Sequence, residues 1–143
     1  MLRSHHFEIP GVAAPQGSKK FVGLSKKTGS ALLVEQSTKV APWRKHVVAF
    51  LRPLAEAGEE PFEGPVEVDI TFYFVRPPSA RGRLFPHVGG VGDVDKLQRS
   101  TFDAFTTARV WGDDAQVVRV HAEKLYAPFG APAHAVVDLR ELL

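Results

Sequence analysis

Five aspartates fall within the 22 residues from Asp93 to Asp114. Asp93 and Asp95 bracket one residue, Asp103 comes eight positions later, and Asp113 and Asp114 adjoin. Carboxylates grouped without cysteine are the donor type that Mg²⁺ prefers, since this hard ion takes oxygen ligands and keeps several waters. Such an ion can activate water and stabilise a leaving oxygen in phosphodiester hydrolysis, with Mn²⁺ as a possible substitute. Each acid also has an ordinary structural explanation. An aspartate at a helix start can cap free N–H groups. Asp-Asp before a strand can form a turn, and Asp95, Arg99 and Asp103 at i, i+4 and i+8 can be ion pairs worth ~0.3 kcal/mol each. An EF-hand is excluded, because Gln98 stands where Gly is needed and Ala104 where Glu is needed. The acids taken together, opposite a basic half of the chain, favour the metal site.

That charge asymmetry is marked. Residues 1–55 carry nine Lys/Arg against Glu8 and Glu35, and residues 56–143 carry nine against fourteen acids. A basic half beside an acidic half is the asymmetry expected if one part holds phosphates and the other holds cations, although solvated surface charge gives the same count. Cysteine is absent, so disulfides, thiolate metal sites and a Cys nucleophile are excluded. Neither a Gly-x-Ser-x-Gly elbow nor a Gly-x-x-x-x-Gly-Lys-Ser/Thr phosphate loop occurs. The six histidines are scattered, with His5-His6 expected in a loose terminus and His46 and His121 as surface or core fillers. No apolar run reaches the ~20 residues that span a bilayer. The first residues lack a secretory h-region, so a soluble cytoplasmic protein without membrane partners is expected.

The scaffold around the acids can be read from periodicity. The 143 residues suit a single domain, residues 1–143. His6 to Val12 is expected as a short strand. Lys19 to Leu24 and Ala31 to Glu35 are expected as a hairpin whose Ser25–Ser30 loop is basic and exposed. Ala41 to Ala57 has the apolar stripe Trp43, Val47, Phe50, Leu51 and Leu54 of a helix, which Pro53 should kink or end near Arg52. Pro65 to Phe74 alternates as a half-buried strand. Residues 76–92 form a long Pro/Gly/Arg loop in which Pro77-Pro78 and Gly89-Gly90 exclude helix and strand. A helix begins at Asp93 or Asp95, runs to about Ala108, and packs Leu97, Ala104 and Phe105. Gln116 to Tyr126 and Ala133 to Leu139 are expected to form a closing hairpin. The fold class is therefore α+β, a small mixed sheet with two main helices.

The run Asp93-x-Asp95-Lys96-Leu97-x-Arg99-x-x-Phe102-Asp103-Ala104-Phe105, with Trp111-x-Asp113-Asp114-Ala115-Gln116-Val117 after it, resembles the RusA family of Holliday-junction resolvases, often encoded by phages and prophages. Weaker likeness extends through Pro15-Gln16-Gly17-Ser18-Lys19 and Pro42-Trp43-Arg44. The resemblance implies a homodimeric, magnesium-dependent endonuclease of DNA recombination and repair in a bacterial host. It would bind four-way junctions and nick two opposed strands. It places essential acids at Asp93, Asp95 and Asp114, with Asp113 joining them as a metal ligand and Asp103 matching a further acidic position. Lys96 stands where the family often has Asn, and Arg99 where it often has Lys. One of the two would therefore supply the catalytic cation, and only lysine can also titrate. Lys19, Lys20, Lys26, Lys27, Arg44, Arg81 and Arg83 are the candidate DNA-backbone contacts. The alternatives are a non-catalytic DNA-binding protein and a nuclease acting on flaps or duplex DNA.

Overall fold

The computed structural model describes residues 2–16, 19–24, 26–27, 31–35, 40–87 and 90–143. Along them run β1 (Ser4–Pro10), β2 (Lys19–Leu24), β3 (Ala31–Glu35), α1 (Val40–Glu56), β4 (Val66–Phe74), α2 (Val94–Thr107), β5 (Val117–Tyr126) and β6 (His134–Glu141). A four-stranded mixed sheet has the order β1-β6-β4-β5, and β2 and β3 form the expected antiparallel hairpin. The fold is thus α+β, with two helices and a mixed sheet.

The alternation of β4 sets the layers. Val66, Val68, Ile70, Phe72 and Phe74 are buried, and the residues between them are half-buried on the opposite face. The buried side shares a core with Val47 and Leu51 of α1 and with Leu97 and Phe105 of α2. Trp43 of α1 donates from Nε1 to Thr101 Oγ1 of α2 at 3.1 Å, which satisfies a buried polar pair between the helices.

The β4–α2–β5 segment is a parallel crossover. Two parallel neighbours cannot be joined by a tight turn, and α2 provides the necessary return. The expected β5–β6 hairpin does not form. β6 pairs antiparallel with β4 and with β1, so β4 lies between β5 and β6. The chain leaves β5 at the end of β4, where Ala127 N donates to Phe74 O at 2.7 Å. It must pass that end to reach the open side of β4.

Three further expectations are corrected. His5 and His6 are not a loose terminus but part of β1, with His5 stacked 5.7 Å from Phe7 and His6 bonded to Asp138. Helix α1 spans Val40–Glu56, close to the expected Ala41–Ala57, and does not end near Arg52. Pro53 removes one donor near the end of a helix that Trp43, Val47 and Leu51 already anchor in the core, and Phe50 of the expected stripe is instead exposed. Pro78–Ala80 makes one 3-10 turn inside the long loop. This loop is tied down by Arg76, whose guanidinium donates to the carbonyls of Arg81 and Arg83, and by Tyr126 N donating to Leu84 O.

Candidate metal and DNA site

Helix α2 presents the first two acids. Its axis is fixed by buried Leu97, Phe102, Ala104 and Phe105 and by two buried hydroxyls, Ser100 and Thr101. Asp93 occupies the N-cap position with an extended backbone, yet its carboxylate makes no capping hydrogen bond. It lies instead 3.7 Å from the Lys96 ammonium. Asp95, in the first turn, is exposed. Neither carboxylate is consumed in closing the helix end, although capping was the ordinary explanation for both.

The backbone leading into α2 is held from three sides. Gly92 has φ +97°, and a Cβ there would stand 2.5 Å from Pro15 Cγ, so only glycine fits beneath Pro15. Lys124 of β5 donates from Nζ to Gly92 O at 2.7 Å. Gln16 N donates to Lys96 O at 2.9 Å, and Ser100 Oγ donates to Ala14 O at 2.6 Å. Gln16 Oε1 in turn accepts from Arg44. The segments around Pro15-Gln16 and Trp43-Arg44 therefore converge on α2, although they are far from it in sequence.

The second pair of acids sits on a separately built turn. Trp111 is fully buried against Phe102 and Phe105 and donates from Nε1 to Thr106 Oγ1 at 2.8 Å. Gln116 fastens the next residues. Its Oε1 accepts from Gly112 N at 2.9 Å and Asp113 N at 3.1 Å, and its Nε2 donates to Phe62 O at 2.8 Å and Gly64 O at 3.0 Å. Asp113 accepts from Ala115 N at 2.8 Å and completes a capping box. One oxygen of Asp113 thus has a structural role, whereas Asp114 next to it is exposed.

Among the described residues Asp114 is the one acid with a shifted pKa. It is raised above the ordinary carboxylate value first by desolvation of the carboxyl, although the residue as a whole is exposed, then by the hydrogen bond and negative charge of Asp113 and by the charge of Asp103. The α2 neighbour that acts on it is therefore Asp103, about 12 Å along the helix from Asp95. Asp103 is paired with Arg44, Nη2 to Oδ2, at 3.5 Å. Among the described residues no three acids or histidines come close enough together to hold a metal ion by themselves. Mg²⁺ does not require such a cage, since it is commonly held by one or two carboxylates, waters and the phosphates of its substrate. The all-oxygen donor set and the mutual repulsion around Asp114 fit such an ion.

The remaining candidates lie on several elements. Arg99 is exposed on α2, Arg81 is exposed and Arg83 half-buried in the long loop, and Lys26 and Lys27 are exposed at the hairpin turn. Lys19 and Lys20 begin β2, and their side chains lie outside the described set. Three positioning residues were not singled out from the sequence: Gln16, Lys124 and Gln116. Gln116 carried a signal as part of the Asp-Asp-x-Gln-Val run and Gln16 a weaker one within Pro15-Gln16-Gly17-Ser18-Lys19, whereas Lys124 carried none.

The family model for endodeoxyribonuclease RusA matches residues 10–132. The chain belongs to the RusA endodeoxyribonuclease family. The match takes in the Pro15-Gln16 strap, Trp43-Arg44, both ends of α2 and the Asp113-Asp114 turn. It stops at Pro132, before the last strand of this RusA chain. No curated protein matches the chain. No helix among the described residues is long and apolar enough to cross a membrane.

Proposed function

We propose that this RusA-family protein is a Mg²⁺-dependent endonuclease that resolves four-way DNA junctions, as a homodimer, by paired nicks. The observation that carries this reading is the pair of exposed aspartates at the start of α2, with Asp93 left uncapped although it occupies the capping position. Asp93, Asp95 and Asp114 are the residues assigned to hold one or two Mg²⁺ ions, with Mn²⁺ as a substitute and Asp113 as a further ligand. Since these three form no ready-made cage among the described residues, water and substrate phosphate complete the coordination. The bound ion supplies an activated water and stabilises the oxygen that leaves.

The protein's own groups do the rest. Lys96, held 3.7 Å from Asp93, and Arg99 one turn further along α2 supply positive charge where the phosphate gains negative charge. Lys124 and Pro15 keep the approach to Asp93 in register. Arg44 serves the acidic side through Asp103. Lys19, Lys20, Lys26, Lys27, Arg81 and Arg83 are assigned to the DNA backbone, contacts that position a duplex without reading its sequence. Two copies related by a two-fold axis would match the symmetry of a junction and account for paired nicks.

The test is a cleavage assay on a labelled mobile junction and on a linear duplex, each with Mg²⁺ and with EDTA. Junction-selective cutting that needs Mg²⁺ is expected. Binding without cutting under every metal condition would make the protein a non-catalytic DNA binder. Equal cutting of linear duplex would remove the junction specificity.

A further inference from the structure

Helix α1 carries a second charged feature outside the carboxylate site. Arg44, Lys45, Val48 and Arg52 of α1, with Thr107 at the end of α2, line an open groove of about 380 Å³. Arg44 and Lys45 share one turn, and Arg52 lies about two turns further along. Arg44 and Arg52 are eight residues apart, which is about 12 Å along the axis. A DNA strand advances roughly 3.4 Å per nucleotide along a duplex, so this row spans about three phosphates.

Two observations separate this groove from ordinary surface charge. On the outer face of the sheet Arg119 and Arg140 both lie beside one acid, Glu67, at 3.5 and 4.0 Å. In the groove, neither Lys45 nor Arg52 has an acidic partner among the described residues, and the single acid of α1 is Glu56 at its last position. Arg44 is the exception, and its partner is Asp103, whose charge acts on Asp114. Arg44, at one end of the row, thus ties the groove to Asp103 of α2. Between the cations the groove wall is Val48 and Thr107, a lining that leaves room for a sugar-phosphate chain.

The geometry points to this groove as a track for the DNA backbone, in which Lys45 and Arg52, about 10 Å apart along the helix, hold phosphates a few nucleotides apart and lead the strand past Arg44 toward the carboxylates. The inference rests on the endonuclease reading and adds two contacts and a path to it. Binding along the track is electrostatic, blind to sequence and released by salt.

The experiment compares wild type with Lys45→Gln/Arg52→Gln. Both positions are exposed, so the variant should keep the wild-type melting temperature. Binding of a fluorescent four-way junction is measured in EDTA between about 50 and 200 mM salt. Losing two phosphate contacts should flatten the slope of log K against log salt by about 1.8, so that the wild-type advantage shrinks about tenfold across that range. A second variant, Arg119→Gln/Arg140→Gln, removes equal charge from the opposite face and should bind as wild type does. An unchanged slope in the first variant, or an equal loss in the second, overturns the track. Wild-type protein that binds no DNA overturns the endonuclease reading instead.

Discussion

Arg44 Nη2 on α1 lies 3.5 Å from Asp103 Oδ2 on α2, and Asp103 is one of the charges that raise the Asp114 pKa. This pair joins the basic half of the chain to the acidic half. Its side chains are 33% and 40% exposed, so solvent screens it, and its share of stability should be only about 0.2–1 kcal/mol. Its larger effect should be on chemistry. Arg44→Gln and Asp103→Asn are each expected to lower junction cutting, and the double variant should lose less than the sum of the two. A double-mutant cycle on cleavage rates checks this. Strictly additive losses would mean that the two side chains act separately.

Asp95→Asn tests the carboxylate assignment directly. The residue is exposed and should change stability by no more than about 0.5 kcal/mol. Junction binding in EDTA should persist, since the substitution removes a negative charge from a surface that a polyanion approaches. Cutting under Mg²⁺ should fall by more than the roughly 10- to 100-fold typical of losing an outer supporting group. Wild-type cutting by this variant would remove Asp95 from the site. Asp93→Asn should behave alike and also free Lys96.

Gly92 and Lys124 should separate positioning from binding. Gly92→Ala forces a Cβ to 2.5 Å from Pro15 Cγ at φ +97°, a strain of about 1–3 kcal/mol. Its melting temperature and its cutting should fall together. Lys124→Met keeps the aliphatic stem but loses the 2.7 Å bond to Gly92 O. Cutting should then drop while junction affinity in EDTA holds. A parallel loss of affinity would make Lys124 a DNA contact instead.

His6 gives a pH signature away from the site. Its pKa is raised chiefly by its hydrogen bond to Asp138, with Nδ1 2.8 Å from Oδ1. The stability from this pair is fully present below the unfolded histidine pKa of about 6.5 and is lost as pH rises through the raised folded value. The melting temperature of wild type relative to His6→Gln should therefore increase on acidification from about pH 8 to 6. A difference that does not vary with pH would show that the bond adds nothing to the folded state.

How much of this was legible depends on whether a feature is local. Val66–Phe74 and Val94–Thr107 were readable because each element's own periodicity states its buried face, and the Lys19–Glu35 hairpin because its turn is adjacent. The pairing of His134–Glu141 was not, since alternation defines a strand's faces but not its neighbours, and β4 already had β5 on one side. The acids divide in the same way. Asp93 was recognisable as a helix-start residue, but whether its carboxylate caps or reaches Lys96 is decided by packing. That Asp103 is electrostatically coupled to Asp114 depends on the buried Trp111 turn, and that Arg44 reaches Asp103 depends on the α1–α2 contact. Neither is written in the spacing of the acids.

Gln116 offers the sharpest test of how the second acid is held. Its amide satisfies two backbone donors on one side and two backbone carbonyls on the other, which fixes the Asp113-Asp114 turn against Phe62–Gly64. Gln116→Leu keeps the volume and removes all four bonds. Bonds of this kind contribute about 1 kcal/mol each, and some of the freed groups are exposed to water, so a net loss of about 1–3 kcal/mol is expected. Gln116→Glu should be no better, because it retains the acceptor for Gly112 and Asp113 but sets a carboxylate against two carbonyl oxygens. Both variants should lose cutting beyond what their melting temperatures explain, measured at a temperature where each remains folded. They should still bind junction DNA in EDTA, because Gln116 touches none of the assigned cations. If cutting tracks only the folded fraction, the turn holds the fold together and does not aim Asp114.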